Sequence, residues 1–145
     1  MKYHIVLFEQ GKIRRHLREA SAEYMKRLSR YCKVDVSAVK KEKDWMKRWM
    51  ECSRRVLLVP GDRSMSSEAF SDRIASWEMS GQGSITFFIS GGLCQNGLPA
   101  CRFDEEKDEL MHLSSFTMDS GLTGVVLLEQ IYRGYRILHH HPYHK

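Results

Sequence analysis

Three loops and a C-terminal tail hold the residue types that could do chemistry. Ser90-Gly91-Gly92-Leu93-Cys94-Gln95-Asn96-Gly97 follows the apolar run Ile85-Thr86-Phe87-Phe88-Ile89, and Pro60-Gly61-Asp62 follows Arg55-Val56-Leu57-Leu58-Val59. Ser114-Ser115-Phe116-Thr117-Met118 precedes a long apolar segment. Glycines and small hydroxyl residues just past strands let a ligand approach backbone amides closely. The glycine loop matches neither the GxGxxG dinucleotide fingerprint nor the GxxxxGKS/T phosphate loop, so neither a dinucleotide nor a nucleoside triphosphate is indicated. A plain turn is the commoner reason for a Gly-Gly pair after a strand. Further on, Glu129 and Arg133 stand four residues apart, where one helix face brings them together. The tail His139-His140-His141-Pro142-Tyr143-His144-Lys145 holds four of the seven histidines. Adjacent histidines splay too widely to share one metal easily. The four cysteines, Cys32, Cys52, Cys94 and Cys101, form no CxxC pair, so neither a zinc site nor a disulfide framework is supported, and no metal is expected.

Elements able to position these groups follow from apolar periodicity. Lys2 to Phe8 is a short β-branched and aromatic run that predicts a strand. Within Gly11 to Tyr31, Ile13, Leu17, Ala20, Tyr24 and Leu28 recur at steps of three and four, which predicts a helix. Its other face carries Arg14, Arg15, Arg18, Lys26, Arg27 and Arg30. Val34 to Val39 alternates like a strand, and Glu42 to Cys52 reads as a helix with Trp45, Met46 and Trp49 on one side, favoured as core packing over base stacking. The continuous apolar runs 55–59 and 85–89 are what a parallel sheet buried between helices needs. Between them Ser66 or Ser67 can cap a helix containing Phe70, Ile74 and Trp77, completing a strand, helix, strand unit. An acidic helix over about Pro99 to Leu110, a strand over Met111 to Phe116 and a long helix over Leu122 to Leu138 complete the expected order. Leu127, Leu128, Ile131, Tyr135 and Leu138 form the apolar face of the last helix, and Val125 and Val126 extend it to a second side that another subunit could cover. The fold class is α/β.

A chain of 145 residues is one domain's worth, read here as a single domain over 1–145. At 42% hydrophobic residues it can fill a core. The charge is uneven. Met1 to Arg55 holds 16 of the 23 basic and 7 of the 18 acidic residues, a net of +9, which leaves −4 on the remainder. A basic segment of this kind suits a polyanion such as RNA or DNA, and equally a solvated lysine- and arginine-rich helix face. The first apolar run is too short for a secretory leader and no run approaches a membrane span, so a cytoplasmic protein without a membrane partner is expected.

Taken in order, the Gly-Gly loop, Leu113-Ser114-Ser115-Phe116-Thr117-Met118, Glu129-Gln130-Ile131-Tyr132-Arg133 and Pro142-Tyr143-His144-Lys145 resemble the ribosomal RNA large-subunit methyltransferase H family of the SPOUT superfamily. The resemblance implies a trefoil-knotted parallel sheet flanked by helices, which chain-connection rules make very rare. It also implies a homodimer, S-adenosylmethionine as methyl donor, and transfer to N3 of pseudouridine-1915 in 23S rRNA of the large subunit or assembled ribosome. Carried over residue by residue, the cofactor positions are Leu57, Gly91, Gly92, Ser114, Ser115, Phe116, Thr117, Met118 and Asp119. His144, Tyr143 and Arg133 fall to the catalytic group, as substrate-positioning or proton-handling residues. Lys2, Lys12, Arg14 and Arg18 would hold rRNA phosphates. The chain departs from the family pattern at Met118-Asp119-Ser120, where an apolar residue, Pro and His are usual, and at Gly124, where a basic residue is expected. It departs also in a longer glycine loop containing Cys94-Gln95-Asn96, and in a shortened stretch around Lys40 to Ser53. These departures fall mainly on the acceptor side. They leave open a catalytically silent or retargeted RNA-binding relative, and, more remotely, a metal-binding tail protein built on His139 to His144.

Overall fold

The computed structural model describes residues 1–91 and 103–143. Five strands, β1 (Lys2–Phe8), β2 (Lys33–Val39), β3 (Arg55–Leu58), β4 (Ser84–Ile89) and β5 (Glu109–Met111), form one sheet in the order β2-β1-β4-β3-β5. Every neighbouring pair is parallel. Four helices flank it: α1 (Arg15–Leu28), α2 (Glu42–Glu51), α3 (Ser67–Met79) and α4 (Ser120–Leu138).

Strand periodicity sorts the helices to two faces. Tyr3, Ile5, Leu7, Val56, Leu58, Ile85, Phe87 and Ile89 point one way and pack with Leu28 of α1, Phe70, Ile74 and Trp77 of α3, and Leu127, Leu128 and Ile131 of α4. The alternate residues Val6, Leu57 and Phe88 point the other way, onto Trp45 and Trp49 of α2. All three tryptophans are core residues, as the periodicity suggested. Among the described residues no helix is long and apolar enough to cross a membrane.

Three expectations are corrected. The acidic segment is not helical where it is described: Phe103 to Asp108 is irregular and turn, and the strand is Glu109–Met111 rather than Met111 to Phe116. The cause lies in the acid side chains. Asp104 Oδ1 accepts from Glu106 N at 2.9 Å and Asp108 Oδ2 accepts from Asp104 N at 2.8 Å, local bonds that compete with a helix. The buried Asp108 also pairs with Arg55 at 2.6 Å, and Glu109 meets Arg54, Arg73 and the Trp77 indole, which draws this segment onto the sheet edge. The first helix begins at Arg15 rather than Gly11, and residues 11–14 are a loop.

Candidate functional site

Where β3, β4 and β5 end, their loops line an open cleft, the place where open α/β sheets bind ligands. Leu58, Val59 and Pro60 form one wall, Ile89, Ser90 and Gly91 the second, and Leu113, Ser114, Phe116, Thr117, Met118 and Thr123 the third. Backbone bonds lock the walls together: Val59 N donates to Met111 O at 3.2 Å, and Gly61 N to Ser114 O at 3.2 Å. The His112 ring ties to Val59 O at 2.8 Å, and a Cβ on Gly61 would lie 2.5 Å from that ring. Gly91 has φ +59, and a Cβ there would stand 2.9 Å from Phe8 O. Only glycine lets the chain turn here while touching β1.

A second opening, about 700 Å³, adjoins the first through Gly91, Thr117 and Met118 and is lined also by Phe8, Glu9, Gln10, Asp119 and Ser120. Asp119 caps α4, its carboxylate accepting from Leu122 N at 3.3 Å. Ser120, 3% exposed, donates to Glu9 Oε2 at 2.7 Å, while Glu9 Oε1 accepts from Gly11 N at 3.0 Å. This bond joins the basic loop after β1 to the start of α4. Nothing in the sequence singled out Glu9, which lies 111 positions from its partner.

The structure thus gathers Gly91, Ser114, Phe116, Thr117 and Met118 around one cleft, with Asp119 in the adjoining one. Ser115 is exposed and does not line the cleft. Leu57 is placed elsewhere: its side chain is 0% exposed on the opposite face of the sheet, against Trp45 and Trp49, and its neighbours Leu58 and Val59 reach the cleft instead. Gly92 and His144 lie outside the described residues. Gly124 faces the sheet, since a Cβ on it would be 3.3 Å from Leu7 Cδ2. That departure from the family pattern is therefore a packing contact with β1.

Arg133 and Tyr143 meet in a different place. Arg133 bridges Glu129 at 2.6 Å, its guanidinium lies 4.9 Å from the Tyr143 ring centre, and the Tyr143 hydroxyl donates to Glu129 Oε1 at 3.2 Å. Tyr132 packs edge-on against Tyr143 at 4.9 Å, and the Tyr24 hydroxyl lies 3.5 Å from that of Tyr143. Burial, then the Tyr24 hydroxyl and the Glu129 charge, push the Tyr143 hydroxyl above its ordinary pKa. The bond to Glu129 likewise raises Arg133. Both stay protonated near neutrality, so each is a hydrogen-bond donor and neither is a base. Arg133 is about 15 Å along the helix axis from the cleft-lining Thr123, at 1.5 Å per residue. One chain does not bring the cluster to the cleft.

The histidine run turns the tail back. His140 N donates to Ile137 O at 3.0 Å and His141 N to Arg136 O at 2.8 Å, the paired bonds of a Schellman turn, with His140 at φ 55 where glycine is usual. Arg136 then holds Pro142 O at 3.1 Å, and Tyr31 holds the His141 ring at 2.8 Å. Among the described residues no group of three His, Cys, Asp or Glu converges as a metal site would. Cys32 is buried and its thiol is pushed up to about 12 by burial. Cys94 and Cys101 lie outside the described residues.

Lys12, Arg14 and Arg18 are exposed at the cleft end of the sheet. Lys2 is at the other end of β1, about 20 Å away at 3.3 Å per residue, beside Asp35 at 4.0 Å.

The chain matches the family described as "Predicted SPOUT methyltransferase" over residues 1–144. It is 32% identical to the ribosomal RNA large subunit methyltransferase H of Acetivibrio thermocellus, over 97% of this chain and 99% of that one. It is 34% identical to the protein of the same name from Streptococcus suis, over 97% and 99%. A third, from Desulforamulus reducens, is 34% identical over 93% and 94%. A cleft at the carboxyl ends of a parallel sheet, closed by the loops that carry the matching motifs, together with similarity along nearly the whole chain, places this protein in the SPOUT methyltransferase family, among the ribosomal RNA large-subunit methyltransferase H proteins.

Proposed function

We propose that the protein, a single domain over 1–145, transfers a methyl group from S-adenosylmethionine to N3 of pseudouridine-1915 in 23S rRNA, acting as a homodimer in the cytoplasm. In this reading the chain follows the knotted path of its superfamily. The observation that carries the proposal is the cleft at Gly91, lined by three loops with apolar and hydroxyl side chains and placed at a glycine where a Cβ would meet Phe8 O.

The residues present fit the donor. Leu58, Val59, Leu113 and Met118 offer apolar surface for an adenine ring, while Ser90, Ser114 and Thr117 offer polar groups at its edge. When bound, S-adenosylmethionine supplies a sulfonium methyl carbon open to direct displacement. The protein's own part is alignment and proton handling, with no covalent nucleophile required. Tyr143, held protonated, donates a hydrogen bond to an acceptor base, Arg133 supplies fixed positive charge, and Glu129 orients both. The N3 proton that the methyl group replaces leaves to solvent, directly or by way of His144 of the same tail. Because these groups sit about 15 Å along α4 from the cleft of their own chain, the working site pairs one copy's cleft with the other copy's tail.

A second reading, a silent or retargeted RNA-binding relative, draws on Asp119 and Glu9, which line the opening adjoining the cleft. Calorimetry with S-adenosylmethionine and methyl incorporation into large subunits lacking the modification separate the two. Binding with transfer to N3, lost in Tyr143→Phe, supports the enzyme; binding without transfer to that base supports the second reading.

A further inference from the structure

We propose that the groove between the β2 edge and α2 is a second seat for RNA phosphates, formed by Lys40, Lys41, Lys47 and Arg48. It lies outside the phosphate contacts assigned to Lys2, Lys12, Arg14 and Arg18. The inference rests on the rRNA reading above and adds where the nucleic acid runs beyond the cleft.

The groove is lined by the end of β2 and the outward side of α2, with about 940 Å³ of open space. Four cations face it against two carboxylates, Asp44 and Glu51. Among the described residues no ion pair within 4.0 Å neutralises any of the four. On the basic face of α1, Arg15 is paired with Glu19 at 2.9 Å and Arg27 with Glu23 at 3.0 Å, while Arg18, Lys26 and Arg30 are in no ion pair among the described residues. Lys40, Lys41 and Lys47 are exposed, and Arg48 is steadied by a 3.2 Å bond to Ser37 Oγ. A fixed arginine beside free lysines suits phosphate oxygens, which take bidentate and point-charge contacts alike.

The platform behind the groove is rigid. Trp45 and Trp49 anchor the other side of α2 in the core at 0% exposure. Position favours a continuous track, since Glu9 N bonds Val39 O at 3.0 Å and so places Lys40 and Lys41 beside the β1 loop that leads to Lys12 and Arg14. RNA lying across the cleft mouth would meet Arg14 and Lys12 first, then Lys40, Lys41 and the α2 groove.

The test uses the full-length protein and a fragment of large-subunit rRNA containing the pseudouridine. Binding is measured across a salt series for the parent and for a Lys40→Gln, Lys41→Gln, Lys47→Gln triple variant. Released counterions set the slope of log affinity against log salt at about −0.7 to −0.9 per phosphate contact, so the variant should flatten it by about 2 and lose tenfold or more in affinity at low salt. Arg15→Gln, which removes a cation already paired on α1, should change the slope by less than about 1. S-adenosylmethionine affinity, measured alongside, should be unchanged in every variant and shows that they fold. Equal slopes for parent and triple variant overturn the groove while leaving the methyltransferase reading intact. Failure of methyl transfer by the parent strikes that reading and leaves the groove, which is read by binding alone, standing.

Discussion

The cleft at Gly91 and the cluster at Tyr143 are made of different materials. The cleft is shaped by backbone, with the loops after β3 and β5 hydrogen-bonded to each other and a glycine pressed against a carbonyl. The cluster is side chains: a carboxylate, a guanidinium and three tyrosines, stacked at the far end of α4. A backbone site fails when a Cβ is added, because no rotamer change relieves the contact. A side-chain site loses its members one by one and keeps its shape. The two therefore predict different responses to substitution.

The largest effect is expected at Gly91→Ala, where the positive φ and the 2.9 Å approach to Phe8 O act together. Strain of about 1–3 kcal/mol should lower the melting temperature and weaken S-adenosylmethionine about tenfold to a hundredfold by calorimetry. Unchanged affinity would remove the cleft as the donor site. Next, Arg133→Ala should cut methyl transfer about tenfold, the loss of one charged hydrogen-bond donor, while donor affinity stays within about twofold. A matched fall in both would erase the distinction between the regions. Smaller is His140→Gly, which relieves a left-handed residue and should stabilise the fold by about 0.5–1 kcal/mol in denaturant melts.

The smallest is a pH effect on the tail. Loss of hydration, then the Arg136 charge, holds His141 below its ordinary value of 6.5. A histidine depressed in the fold binds fewer protons there than in the unfolded chain. The stability it reflects is present above 6.5 and is lost as pH falls from 6.5 through the lower value of the folded state. An NMR titration should place the His141 midpoint below 6.5, and Tyr31→Phe, which removes the bond to its ring, should move that midpoint.

Periodicity made most of this architecture legible, because apolar runs and steps of three and four are decided by burial alone. Trp45, Trp49 and Phe70 announce their faces that way. The exceptions have local causes. At Asp104 and Asp108 side chains bond to nearby backbone, and Arg55, the partner of Asp108, lies far away in sequence, so composition suggested a helix where an edge strand forms. Leu57 and Leu58 differ by one residue, and a one-residue step in a strand exchanges its faces. Of the family-motif residues, Gly91, Ser114, Phe116, Thr117 and Met118 line the cleft, but the motif could not show that Arg133 and Tyr143 stand apart from them within one chain. That is a tertiary distance, set by helix length.

The turn at His140 has a consequence for assembly. Because the Schellman bonds, the Arg136 clamp on Pro142 and the Tyr31 contact fix the chain before any second copy arrives, Tyr143 is not on a free tether. Ordering a loose segment costs about 1–2 kcal/mol per residue, and here that ordering is completed during folding. In the proposed dimer, a tail built this way would meet the second copy as a finished surface, with only rigid-body freedom left to surrender.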